Sequence, residues 1–97
     1  MFNKEKFHNE LAMRLGYERI VKDNKILISV EESDDPCVIL KHHDNRSIRI
    51  NASGKGEEAE FDVIPEMRAE IIEIVDAVHQ AYKMANKTFF WLNGNCC

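Results

Sequence analysis

No run of apolar residues in this chain exceeds four, so nothing in it is long enough to span a bilayer as a helix. The opening residues MFNKEKFHNE lack the apolar centre that a secretory leader requires. Proline occurs twice and glycine four times, and no linker, low-complexity segment or internal repeat is found. Cysteine is scarce and odd in number, at Cys37, Cys96 and Cys97. Adjacent cysteines bridge each other poorly, so no disulfide framework is expected, and Cys37 is read as a reduced core thiol in a strand. Together these absences predict a cytoplasmic protein without membrane contact. In that setting the N-x-S/T triplets beginning at Asn45, Asn51 and Asn86 carry no glycosylation reading. The Cys96-Cys97 pair does not fit the four-residue prenylation box.

Chemical signatures are missing too. Ser53-Gly54-Lys55-Gly56 echoes a phosphate-binding loop, but glycine follows the lysine where a magnesium-binding hydroxyl belongs. Acids rather than a helix come next, so the stretch reads as a hairpin loop. There is no C-x-x-C, H-E-x-x-H or calcium-loop pattern. His42 and His43 are predicted strand neighbours that point to opposite faces and cannot share an ion. Pairing His43 with Asp44, or recruiting His79, leaves the rest of a ligand set unfilled. Nothing marks Cys37 as an activated thiolate. No catalytic residue, cofactor site or metal site is assigned.

What is present begins with a globular composition over 97 residues, 44% hydrophobic and 31% charged. That size predicts one small domain spanning 1–97, with residues 88–97 as an aromatic and cysteine tail. The longest apolar pattern runs from Pro65 to about Lys87. Met67, Ile71, Ile74, Val78, Ala81 and Ala85 recur in steps of four and three, the signature of an amphipathic helix. Ile72, Val75 and Tyr82 are expected to widen that face. Pro65 suits the first turn, and acids near the amino end with lysines near the carboxyl end suit the helix dipole.

A shorter helix is predicted from an Asn3 cap to about Leu15, carrying Phe7, Leu11 and Leu15 on one side and stopped by Gly16. From Tyr17 the period changes to two. Strands are expected at Arg19–Val21, Ile26–Glu32, Cys37–His43 and Ser47–Asn51, with a short fifth at Ala59–Val63. Their turns, 22–25, Ser33-Asp34-Asp35-Pro36 and Asp44-Asn45, are short enough to force antiparallel neighbours. The predicted fold class is α+β: a short N-terminal helix, an antiparallel meander of four to five strands, and a long C-terminal helix packed on one face of the sheet.

Charge is uneven. Residues 1–30 carry +2 and residues 31–76 carry −8, within a net charge of −4. An acidic middle repels nucleic acid, so none is expected as a direct partner. Two features invite a partner. Phe89, Phe90, Trp91 and Leu92 are four large apolar residues in a row, which cannot all face one core. Glu31, Glu32, Asp34, Asp35, Glu57 and Glu58 form an acidic rim. The expected function is a non-enzymatic protein–protein interaction module whose partner is another protein or a second copy of itself, the latter as a homodimer through the long helix or the aromatic tail. The alternative is a small acidic inhibitor of the phage or mobile-element type, imitating phosphates in the groove of a nucleic-acid-handling enzyme. A small enzyme is the third reading.

Overall fold

The computed structural model describes residues 2–21, 23–54 and 62–87. The chain runs through α1 (Lys4–Arg14), β1 (Glu18–Val21), β2 (Asn24–Glu31), β3 (Cys37–His42), β4 (Ser47–Asn51), a 3-10 turn (Pro65–Met67) and α2 (Arg68–Ala85). The four strands form one antiparallel sheet in chain order, and the long helix contacts it. This is an α+β architecture.

Local chemistry sets the element ends. The Asn3 side chain accepts a hydrogen bond from the Lys6 amide at 3.0 Å, supplying the partner that the first turn of a helix lacks. Gly16, at φ 75°, closes α1 by donating to the carbonyls of Leu11 and Ala12. A left-handed residue at that point suits glycine, which has no Cβ to clash. Asp23 and Asn45 take the left-handed positions of two hairpin turns, at φ 69° and 76°. Short polar side chains tolerate that region best after glycine. The first hairpin is tighter than predicted, because Val21 pairs with Asn24 and both Asn24 and Lys25 belong to β2.

Strand alternation then builds the core. Ile26 and Ile28 of β2, Val38 and Leu40 of β3, and Ile48 and Ile50 of β4 share one face and are all buried. Phe7 and Leu11 of α1 close that layer together with Ile71, Ile74, Val78, Ala81 and Ala85 of α2. The two helices are also tied to each other. The Asn3 amide donates to the Ala85 carbonyl at 2.8 Å, and the Phe2 ring stacks near both Phe7 and Tyr82, with centroids 5.6 and 5.5 Å apart.

Four further details differ from the sequence expectations. Ile72 is 45% exposed, because one residue beyond the buried Ile71 a helix has turned about 100° away from the core. The long helix opens with a 3-10 turn, in which the Met67 amide bonds the Ile64 carbonyl, before α-helical geometry begins at Arg68. β3 ends at His42, so His43 lies in the turn rather than in the strand. Of the expected fifth strand, residues 59–61 lie outside the described residues, and Asp62 and Val63 are not in a strand. Among the described residues no helix is long and apolar enough to cross a membrane.

Candidate functional site

Among the described residues, the helices cover one face of the sheet and no element covers the other. On the open face, register places Ile20 opposite Lys25, Leu27 between Glu18 and Lys41, and Ile39 between Ser29 and Arg49. Ile20, Leu27 and Ile39 are thus diagonal neighbours crossing β1, β2 and β3, close enough for large side chains to touch. Ile20 is 67% exposed and Leu27 46%. Charge frames this apolar diagonal. Lys25 pairs with Glu18 at 3.0 Å and Arg49 with Glu31 at 2.5 Å. A depression of about 190 Å³ beside Leu27, the middle of the diagonal, is lined by Lys25, Leu27, Lys41, His42, His43 and Asn45.

The sequence carried a signal for this face. The unbroken Ile26-Leu27-Ile28 and Cys37-Val38-Ile39-Leu40 are apolar on both sides of their strands, as strands covered on both faces are. Cys37 also belongs to this side by register, yet it is buried. Burial, its largest influence, raises the thiol above its ordinary value, while the nearby Arg49 works the other way.

The acids of the rim are largely engaged by the protein itself. Glu31 meets Arg49, as above, and Glu32 accepts a 2.6 Å contact from His8 Nε2. Asp35 accepts from both the amide and the hydroxyl of Ser53, at 3.1 and 2.7 Å, tying the β2–β3 turn to the end of β4. Asp34 borders a pocket of about 300 Å³ formed with Phe2, Lys4, Glu32 and Ser33. Glu57, Glu58, Phe89, Phe90, Trp91 and Leu92 lie outside the described residues.

One chain of groups has the order of a nucleophile, a base and an orienter. The Tyr17 hydroxyl lies 3.0 Å from His8 Nδ1, and His8 Nε2 contacts Glu32. It stands on an exposed ridge, and the pocket beside Glu32 is lined by neither His8 nor Tyr17. Its evident role is to fasten α1 to the far end of β2.

A second polar cluster sits where the β3–β4 turn meets the start of the long helix. The Arg46 guanidinium bonds both Asp44 oxygens, the Val63 carbonyl and Glu66. Arg46 is the main cause that holds the Asp44 carboxyl well below its ordinary range and lowers that of Glu66. Those carboxylates in turn raise the guanidinium further above its usual value. His42 is 2% exposed, with Nδ1 2.8 Å from Asp44 Oδ1. The ring of His43 lies against it, centroids 4.1 Å apart, rather than on the opposite side as expected of strand neighbours. Ligand-capable atoms of His42, Asp44 and Glu66 all lie within 4.8 Å of one another. Sequence reasoning missed this set because Glu66 joins it only through the fold. The i, i+2 spacing of His42 and Asp44 was its one visible trace.

Comparisons with protein-family models, curated proteins and solved structures give no match. The functional reading therefore rests on this geometry.

Proposed function

We propose that this protein is a non-enzymatic interaction module that self-associates through the open face of its sheet. The observation that supports this is the Ile20–Leu27–Ile39 diagonal, of which Ile20 and Leu27 are exposed and Ile39 is partly buried, on the face opposite the one that the two helices cover. Contiguous exposed apolar surface rimmed by charge is a common mark of a protein contact. A second copy suits it because Glu18–Lys25 and Glu31–Arg49 are neutralised pairs within the chain, so two copies of this face meet without a repelling excess of one sign. The long helix offers less as a contact, since its apolar stripe is spent on the core and Ile72 stands alone.

Magnitude sets the expected strength. Four strands spaced about 4.8 Å apart and about 20 Å long present roughly 400 Å². That is about half of what one partner contributes to a standard interface. The dimer is therefore weak and concentration-dependent. Sedimentation velocity over a hundredfold range of concentration should show a rising weight-average mass, and Leu27→Glu should abolish the rise without changing the fold. A chain that stays monomeric throughout, or a dimer untouched by Leu27→Glu, overturns the proposal. The internal pairing of Glu31, Glu32 and Asp35 leaves less free negative charge for an imitation of phosphates. Capture of a nucleic-acid enzyme that is lost steeply with salt would reverse that preference.

A further inference from the structure

We infer that His42, Asp44 and Glu66 form a site for a zinc-type divalent cation, with Arg46 as its built-in competitor. Three observations converge. The donor set is one imidazole and two carboxylates, the ligand types that zinc takes when it keeps a fourth position open. Their ligand-capable atoms already lie within 4.8 Å of one another. Tetrahedral zinc holds such atoms roughly 3.4 Å apart, so closing the set takes shifts of up to about 1.4 Å. Both carboxylates are exposed side chains able to make such shifts.

The second observation is His42 itself. Its ring is almost wholly buried; Nδ1 faces Asp44 Oδ1 at 2.8 Å, and among the described residues Nε2 has no hydrogen-bond partner. A buried imidazole nitrogen without a partner is an unmet demand, and a divalent cation is one group able to take up its lone pair. Third, the approach is acidic. A cleft of about 210 Å³ that reaches the cluster through Glu66 is also lined by Glu73 and by Glu70, which pairs with Arg19, and the excess of acid there favours cations.

Arg46 explains how the site stays folded without an ion. Its guanidinium spans Asp44 and Glu66 and supplies the positive charge that the two carboxylates need. Metal and guanidinium compete for the same oxygens, so removing the guanidinium must strengthen metal binding rather than weaken it. A purely structural ion-pair knot makes no such demand.

The test is a titration of the full chain with Zn²⁺, on a background carrying Cys96→Ser and Cys97→Ser so that terminal thiols do not bind the probe. Calorimetry should give one site per chain, tightened at least about tenfold by Arg46→Ala and weakened at least about tenfold by Glu66→Gln. Glu66 is exposed, so its variant should keep the fold where replacement of buried His42 can fail. Proton NMR of the histidine rings provides the assignment, with the His42 signals shifting on Zn²⁺ addition. Binding that Arg46→Ala leaves unchanged, that survives Glu66→Gln, or that moves only His8, His43 or His79, overturns the inference. So does the absence of binding in the Arg46→Ala variant.

Discussion

Arg46 joins two parts of the chain twenty residues apart, and its effect on acid stability follows from that bridge. Asp44 and Glu66 are held below their ordinary values mainly by its guanidinium. A carboxyl that is more acidic folded than unfolded stabilises the fold at pH above its ordinary value, and that contribution is lost as pH falls through the folded value. Urea midpoints should thus be level near neutrality and decline below about pH 4. In Arg46→Met the decline should be shallower, because the folded carboxyls return toward their ordinary range. Equal slopes in the two proteins would show that the bridge has no such weight. Cys37 works in the opposite direction. Burial favours its neutral thiol, and the thiolate is the reactive form. With Cys96 and Cys97 replaced by serine, iodoacetamide at pH 8 should label the folded chain at least ~10-fold more slowly than the urea-unfolded chain.

At the scale of elements, α2 carries the fold and its residues divide sharply. Ile74 is fully buried against the sheet and α1, whereas Ile72 is 45% exposed. Ile74→Ala should cost about 2–5 kcal/mol through lost burial and a cavity. Ile72→Ala should stay within about 0.5 kcal/mol. Paired denaturation curves check both. That same division shows what a linear reading can recover. The stripe from Met67 to Ala85 was legible because its period is local, and so were the alternating strands and the Asn3 and Gly16 boundaries. Ile72 was misplaced because an apolar residue beside a stripe looks like a wider stripe until the width of the sheet beneath is known. The termination of β3 at His42 was invisible because His43 continues the alternation while the turn claims its backbone. The candidate sites were less legible still. Ile20 and Ile39 come together only through strand register, and Glu66 reaches Asp44 only after the long helix has docked.

For the molecule as a whole, sequence order and contact order differ in one respect. The meander pairs each strand with the next, but α1 finds its partner in α2, with the whole sheet lying between them in the chain. The bond from the Asn3 amide to the Ala85 carbonyl is the longest such closure. An eleven-residue helix is marginal on its own. A fragment of residues 1–64 should therefore show little helical circular dichroism and no cooperative urea transition. A cooperative transition in that fragment would show that the strands and α1 hold together unaided.

The same closure bears on birth at the ribosome. α1 leaves the exit tunnel before α2 and lacks that helix to rest on until its last turns follow. Throughout that interval Phe7 and Leu11 stay open to chaperones, and residue 85 must clear the tunnel before the helix pair can close over them.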